Sequence, residues 1–309
     1  MNVPSNGLAE RKQYLPDASL KRAKIIDRIA TFFLYIISAS FVFLLIAFTV
    51  YVIQGGIRAF NPEIFSFSYE GIGNQFFNTI YVVVLSLLIS VPLGVMAGVY
   101  MAEYAPPGKV TGSLRIAIET LSSLPSIVVG LFGYLIFIVM VGTQWNLLSG
   151  ALAISILSLP LITSTTCDAL ESLPQGYKEG SLALGAAHFE TIWKVMLPAS
   201  AGPIITGVIL AAGRGFGEAA ALLYTAGMST DINWEVWDIT SPACPLNPFR
   251  PGETLALRIW AARTEGLGQN AQDTAAAASA ILMIMVLTFS IGARLVSRYI
   301  SSKTEGEHS

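Results

Sequence analysis

The interval Tyr177–Pro198 organises the rest of the chain, and it reads YKEGSLALGAAHFETIWKVMLP. It is the only sizeable amphipathic interval in the middle of a strongly apolar sequence. Glu179 opens a helical run, Gly185 interrupts it, and a second run leads to Leu197 and Pro198. A turn is predicted at Gly185, because glycine readily takes the left-handed conformation that ends a helix. Spacing alone leaves two interpretations open, a docking elbow for a soluble partner and an ordinary loop between membrane spans.

The composition around this interval is that of a membrane protein. The 309 residues are 53% hydrophobic and 12% charged, and the mean hydropathy is +0.62. Soluble chains carry roughly a quarter charged residues, so half that share indicates a polytopic α-helical membrane protein. The net charge of −2 comes without any basic block that would indicate nucleic acid. The two cysteines make neither a disulfide framework nor a zinc site.

Six apolar runs approach the roughly 20 residues that a helix needs to cross the hydrocarbon core, which predicts an all-α membrane protein with six transmembrane helices. The predicted spans are about Ile29–Ile53, Phe77–Ala102, Ile116–Val141, Asn146–Thr165, Ala199–Tyr224 and Thr274–Leu295. Pro92, Pro125 and Pro160 lie within or near the ends of spans. Proline bends a helix, so each is either part of a gated path or an ordinary structural kink.

The predicted organisation is an N-terminal segment 1–28, a six-span domain 29–300 and a tail 301–309. The elbow occupies 174–198, and a long polar loop covers 227–273. Most of the 18 Lys and Arg residues fall in segments on the side of the N-terminus. The positive-inside rule therefore predicts that both termini and the elbow are cytoplasmic, in a multi-pass protein of the cell membrane.

The long loop is predicted to face the other side of the membrane. Its tryptophans are Trp234, Trp237 and Trp260, and a short helix is expected over Glu253–Arg263. The tryptophans are interpreted either as interfacial anchors or as contacts with an external partner.

Two charged residues fall inside the predicted fifth span, within Gly213-Arg214-Gly215-Phe216-Gly217-Glu218. Charges within a span are costly and mark functional candidates. Arg214 and Glu218 are four residues apart, which would place them on one helix face, where they could pair. Arg214 could serve an anion as a hydrogen-bonding fork, or the two could form an internal ion pair. The Gly213/Gly217 spacing also fits close helix contact.

Motifs for catalysis are missing from the sequence. It has no H-E-x-x-H, no G-x-S-x-G and no P-loop. The histidines are His188, in the elbow, and His308, near the C-terminus. We therefore expect a protein that is not itself an enzyme and that carries no cofactor.

The elbow resembles a family signature. Glu179-Gly180-Ser181, then Gly185, then Val195-Met196-Leu197-Pro198 is similar to the EAA–G–I–LP signature of ABC importer permeases. Gly180 and Ser181 replace two alanines, and Val195 replaces an isoleucine. The resemblance implies the ABC importer type I permease fold and a cytoplasmic coupling helix that docks on an ATPase. The residues it implicates are Glu179, Gly185, Ala186, Leu197 and Pro198.

Two further segments resemble phosphate importer permeases. Leu121–Gly133 is similar to their third-span motif, and Arg214–Gly227 resembles the R-x-x-G-E-x-x-x-L-L-x-T-A-G run of the PstA-type subunit. The ending Leu222–Gly227 separates it from the sister PstC-type subunit. The resemblance implies that Arg214 and Glu218 line a phosphate path. Implied partners are a PstC-like permease in a heterodimer, two copies of a cytoplasmic ATPase and an extracytoplasmic phosphate-binding protein.

The sequence therefore predicts the membrane subunit of an ATP-driven phosphate importer. Within that class, sulfate, molybdate or phosphonate are alternative cargoes. Outside it, the alternatives are an intramembrane enzyme that uses Glu218 as acid or base, and a passive channel or signalling scaffold. The enzyme lacks a partner histidine, second carboxylate or metal set.

Overall fold

The computed structural model describes residues 17–67, 71–106, 108–229, 231–266 and 271–306. The chain divides into two units, Met1–Tyr51 and Val52–Ser309. Every regular element in the described residues is helical. The long helix α1 (Asp17–Arg58) begins in the first unit. The other α-helices are α2 (Gly73–Val99), α3 (Lys109–Ser122), α4 (Ser126–Gly133), α5 (Leu147–Glu171), α6 (Gln175–Ala183), α7 (His188–Thr191), α8 (Leu197–Ala199), α9 (Ala201–Phe216), α10 (Ala220–Thr225), α11 (Leu255–Thr264) and α12 (Ala271–Gly306).

Three π-helical turns extend these helices. Tyr100–Tyr104 continues α2, Tyr134–Met140 continues α4, and Ile192–Met196 joins α7 to α8. A short 3₁₀ turn, Pro62–Phe65, precedes α2. The predicted segments 1–28 and 301–309 lie partly outside the described residues, and the domain boundaries stay predictions.

Four helices of the described chain are long and apolar enough to cross a membrane: Arg22–Arg58, Gly73–Tyr104, Leu147–Glu171 and Ala271–Arg298. Two bent pairs also qualify, and the number of spans is six if each pair is one span. The pairs are Lys109–Ser122 with Ser126–Met140, bent by 98°, and His188–Ala199 with Ala201–Phe216, bent by 69°. The predicted all-α class is confirmed, and the predicted six spans agree with this arrangement.

The predicted third span, about Ile116–Val141, is broken at Pro125 instead of only bent there. The helix stops at Ser122 and restarts at Ser126, and Pro125 occupies the N-cap position of α4 with an extended backbone. Proline biases the residue before it away from the helical region, so Leu124-Pro125 separates two helices instead of bending one. Pro92 and Pro160, by contrast, lie inside helices that continue through them.

The fifth span also departs from its predicted limits, Ala199–Tyr224. The chain bends at Ser200, α9 ends at Phe216, and α10 begins only at Ala220. Three glycines occur in the five residues 213–217, and glycine is a poor helix former. The helix therefore ends between the two charged residues that were expected to share one of its faces.

Close packing of α2, α5 and α9 builds the core of the second unit. Glycines at the contacts allow the helices to approach each other. A Cβ atom added at Gly98 of α2 would lie 2.6 Å from Cβ of Thr166 and 2.8 Å from the carbonyl oxygen of Thr163, both in α5. Gly94, one turn earlier, faces Ile162 in the same way. By contrast, the space around Gly213 is open, so the predicted close contact through Gly213 and Gly217 does not occur among the described residues.

Gly98→Ala should destabilise the protein by about 1–3 kcal/mol, because the added methyl group meets backbone of α5 that cannot turn aside. The measurement is the thermal denaturation midpoint of the purified protein in detergent. Gly112→Ala is the matched control, since Gly112 lies within α3 with nothing near the new methyl group. That control should be neutral or stabilising by about 0.5–1 kcal/mol. Equal shifts for the two variants would contradict the packing argument.

Candidate coupling elbow and translocation path

The elbow, residues 174–198, is two helical arms joined at Gly185. The first arm, α6, ends at Ala183, and Gly185 has a φ angle of +89°. Its N–H donates to the carbonyl of Leu182 at 3.0 Å, and that of Ala186 donates to Ser181 at 3.3 Å. These bonds satisfy carbonyls at the helix end, as a left-handed C-terminal turn does. The turn predicted at Gly185 is confirmed.

The second arm packs on one side and is exposed on the other. Ile192 and Met196 are buried against Val99 of α2 and Leu170 of α5. Large apolar side chains of the elbow have no cover from this chain: Leu184, at the end of the first arm, is 91% exposed, and Phe189 and Trp193 of the second arm are 61% and 48% exposed. The elbow therefore presents an apolar surface on a polar interval, which is the pattern of an interaction site.

The other predicted coupling residues lie along the same elbow. Glu179 is exposed on α6, and Ala186, directly after the turn, is half-buried. Leu197 packs against the cluster of Val99 and Leu170, and Pro198 is exposed in α8. The fold thus places all five on one structural unit, while their role in coupling stays a prediction.

Glu103 was not predicted as a functional residue, yet it contacts both arms of the elbow. It lies in the π-helical turn that ends α2, and its side chain is only 7% exposed. One carboxylate oxygen, Oε2, lies 2.6 Å from Nζ of Lys178 and 3.0 Å from Nε2 of His188. The ring of His188 also packs edge-on against Tyr104, with centroids 5.1 Å apart. In the sequence Glu103 lies in an ordinary polar turn. Its contacts are with residues far away in the sequence, so only the folded structure shows them.

Arg214 and Glu218 do not form an ion pair. Both lie in the described part of the chain, and no salt bridge joins them, because α9 ends between them. Arg214 is exposed near the end of α9 and has no hydrogen-bond or ion-pair partner among the described residues. Glu218 is buried, and its Oε1 accepts the N–H of Ala221 at 3.1 Å, which caps the start of α10. The interpretation as a structural ion pair is therefore excluded for this conformation.

The two segments that resemble phosphate permeases pack against each other. Gly130 in α4 lies so close to α10 that an added Cβ atom would be 2.7 Å from Cα of Ala221. Gly133 meets Thr225 in the same way, at 2.9 Å. Segments separated by almost a hundred residues in sequence thus meet as α4 and α10, next to the break that carries Glu218.

A buried polar network, which we call the loop junction (Gln75, Asn78, Arg250 and Glu253), joins the long loop to the start of α2. Arg250 is 1% exposed and Glu253 2%. The Arg250 guanidinium donates to Oδ1 of Asn78 at 2.6 Å and to the carbonyl of Pro245 at 3.0 and 3.2 Å. Gln75 donates to the Glu253 carboxylate at 2.8 Å, and Asn78 donates to the Glu253 carbonyl at 2.9 Å. In the sequence, Arg250 and Glu253 lie in a long polar loop with nothing to indicate that they are buried.

Burial shifts the pKa of both charged groups in the loop junction. Desolvation lowers the pKa of Arg250 to about 10, so the guanidinium is still protonated at neutral pH. Desolvation raises the pKa of Glu253, against the opposing effects of the Gln75 hydrogen bond and the Arg258 charge. Each buried charge is held by hydrogen bonds, as buried charges must be.

The same loop caps neighbouring helices. The N–H groups of Leu147 and Leu148, at the start of α5, donate to the carbonyls of Arg250 and Pro248 at 2.9 and 2.8 Å. The helix predicted over Glu253–Arg263 is confirmed as α11, and the Thr254 side chain caps its N-terminus. Trp234 donates from Nε1 to Asn74 at 3.0 Å, while Trp237 is 64% exposed. Trp234 is thus fixed within the chain, and both roles suggested for the exposed tryptophan stay open.

A helical fold with several candidate membrane spans and an exposed elbow is that of a polytopic membrane protein, and comparison with known proteins gives the family. Residues 90–305 match the family model of the binding-protein-dependent transport system inner membrane component. The chain belongs to this family. It is an integral, multi-pass inner-membrane permease subunit of an ABC importer, in which ATP hydrolysis falls to a separate subunit.

Similar proteins are also named as permeases of ABC transporters or of phosphate transport systems. A probable ABC transporter permease, YqgI of Bacillus subtilis (strain 168), is 42% identical over 91% of this chain and 98% of its own length. The phosphate transport system permease PstA of Xylella fastidiosa (strain 9a5c) is 31% identical over 72% of this chain and 74% of its own. PstA 2 of Mycobacterium bovis is 32% identical over 74% and 71%.

Solved structures share the fold. A chain of a bacterial alginate ABC transporter superposes with a TM-score of 0.64 at 14% identity, over 90% of this chain and 97% of that one. A chain of the MetNI methionine ABC transporter superposes with a TM-score of 0.55 at 18% identity, over 78% and 99%. At such identities the likeness shows the fold alone.

Proposed function

We propose that this subunit carries inorganic phosphate across the membrane as the PstA-type half of an ATP-driven importer. Two PstA-named relatives, at 31% and 32% identity over more than 70% of the chain, support the substrate. The Leu121–Gly133 and Arg214–Gly227 segments, which resemble those of phosphate permeases, pack against each other as α4 and α10. Transport of sulfate, molybdate or phosphonate is the alternative within the same class.

The observation that carries the proposal is that Arg214 is exposed and has no hydrogen-bond or ion-pair partner among the described residues. Arg214 is a cation on a helix of the membrane domain. An unpaired guanidinium at membrane depth is costly unless it faces water or an anion. Its planar fork of N–H donors matches a tetrahedral oxyanion. We therefore assign Arg214 to the translocation path, and Glu218 to the break that shapes the path beside it.

The arrangement of the chain suggests how the assembly works. The elbow contacts the end of α2 and the loop junction its start, so they lie at opposite ends of this span. We place the elbow in the cytoplasm, docked on one of two ATPase copies through Glu179, Gly185, Ala186, Leu197 and Pro198. A PstC-like permease completes the path, and a phosphate-binding protein approaches the long loop from outside. ATP-driven closure of the ATPases pushes the elbows together and opens the path outwards, and Arg214 then offsets the phosphate charge transiently.

The test is uptake by the purified complex in liposomes that contain ATP, with each anion and the matching binding protein supplied outside. ATP-dependent uptake of phosphate, and not of sulfate, molybdate or phosphonate, is expected. Uptake of sulfate without phosphate would overturn the substrate, and flux without ATP through the isolated chain would favour a passive channel.

Gly185→Val should weaken association with the ATPase by about tenfold, because valine is strained at positive φ and the elbow must rearrange. Nothing lies within 4 Å of a Cβ atom added at Gly185, so the backbone angle alone carries the effect. Co-purification of the two subunits measures it. Gly176→Val is the control, since Gly176 lies in the same elbow in equally open space with an ordinary φ. Unchanged co-purification of the Gly185 variant would count against the elbow as the docking element.

A further inference from the structure

One buried carboxylate holds both arms of the elbow against α2. Lys178 belongs to α6, before the turn at Gly185, and His188 begins α7, after it. Both side chains reach the same oxygen of Glu103, at 2.6 and 3.0 Å. Lys178 and His188 are 38% and 36% exposed, whereas Glu103 is 7% exposed. The acceptor is thus shielded from water while its two donors lie at the surface, which strengthens charge-assisted bonds.

Few other polar contacts fix the two arms relative to each other. The hydroxyl groups of Ser181 and Thr191 lie 2.9 Å apart, and the turn itself is a single glycine in open space. Glu103, by contrast, ties each arm separately to the last turn of a membrane-crossing helix. A force on either arm therefore acts on α2 through a short, stiff contact.

In its first half, α2 packs against the helix that carries Arg214. Val83 of α2 lies 3.3 Å from the position of a Cβ atom at Gly215, the residue after Arg214 in α9. Val82 and Val83 are buried in one cluster with Ala212 and Phe216 of α9. The elbow, α2 and the helix of Arg214 are thus contiguous through named contacts.

We propose that Glu103 is a positioning residue for transport, which passes movement of the elbow to α2 and so to the path. The proposal rests on the proposed function, since it requires an ATPase that moves the elbow. The test separates energetic coupling from simple stability, because a coupling residue changes transport per ATP while a structural one changes both together.

The first experiment compares Glu103→Gln with wild type in the reconstituted complex. The amide keeps the shape but loses the charge that both donors need. We expect assembly and ATP hydrolysis within about twofold of wild type, and phosphate imported per ATP lowered roughly tenfold, the loss expected for charge-assisted bonds. Lys178→Met and His188→Phe, which each release one arm, should give smaller losses. Glu119→Gln, at an exposed carboxylate of α3, is the control and should leave the ratio unchanged.

A proportional fall of transport and ATP hydrolysis in Glu103→Gln would show a merely structural role and overturn the proposal. No change in either would overturn it as well.

A second measurement does not depend on the cargo. Spin labels at Tyr100→Cys and Ala183→Cys, both exposed sites, would report the distance between the end of α2 and α6 in the complex, with Cys167 and Cys244 replaced by alanine. We expect a narrow distribution that shifts on ATP binding, and a distribution about twice as wide with Glu103→Gln. If the complex imports another anion, the substrate proposal fails while this result still supports the role of Glu103. Identical distributions for the two proteins would refute that role.

Discussion

Arg214→Gln should reduce phosphate uptake by the reconstituted complex roughly 30- to 100-fold, with assembly and detergent stability unchanged. The glutamine loses the charge and the bidentate fork that a phosphate oxygen pair would bind, which raises the transport barrier by about 2–3 kcal/mol. Stability should not change, because Arg214 is exposed and has no partner among the described residues. The measurement is the initial rate of ATP-dependent uptake beside the yield of intact complex.

Two further variants decide between a path residue and a structural one. Arg294→Gln removes another exposed arginine, in α12, and should leave uptake within about twofold of wild type. Exchanging the charges, with Arg214→Glu and Glu218→Arg together, would restore function if the two residues worked as an ion pair. We expect no rescue, since Glu218 caps α10 instead. Normal uptake by Arg214→Gln would remove Arg214 from the path.

Local sequence patterns anticipate much of the fold. The apolar runs mark the spans because crossing a membrane demands length and hydrophobicity, which are properties of each segment alone. The turn at Gly185 was predictable for the same reason, since only the residue itself need tolerate the positive φ. The break at Pro125 had a visible signal, because a proline disfavours helix at the residue before it. The sequence does not show whether such a proline bends a helix or ends it, because both occur within apolar runs.

Features that depend on distant partners were not predictable. Glycine pairs at helical spacing occur at both Gly94/Gly98 and Gly213/Gly217, and only the first pair meets another helix. Which pair faces a neighbour depends on how α2 and α5 lie together. Glu103 likewise receives its two donors from residues 75 and 85 positions away. Arg214 was identifiable as a charged residue within a span, but its lack of an ion pair with Glu218 was not, because α9 ends between the two within a glycine-rich stretch.

The loop junction is the feature that the sequence predicts least well. Arg250 is typical of a surface charge in a polar loop, but its side chain is only 1% exposed. Arg250→Met should destabilise the protein by roughly 3–5 kcal/mol, the usual effect of removing one member of a buried charged network. Methionine fills similar space but leaves Asn78 and the Pro245 carbonyl without their donor. The thermal midpoint of the purified protein should fall by about 6 °C or more.

The partners of the Arg250 guanidinium make its shape as important as its charge. It donates from separate nitrogens to Pro245, Pro251 and Asn78, and a lysine cannot reproduce that fork. Arg250→Lys should therefore recover only part of the lost stability. Arg263→Met is the matched control, because Arg263 is exposed in the last turn of α11, and it should change stability by less than about 0.5 kcal/mol. Equal midpoints for the Arg250 and Arg263 variants would show that the long loop does not hold α2 and α5 together, and that its buried charges contribute nothing to the membrane domain.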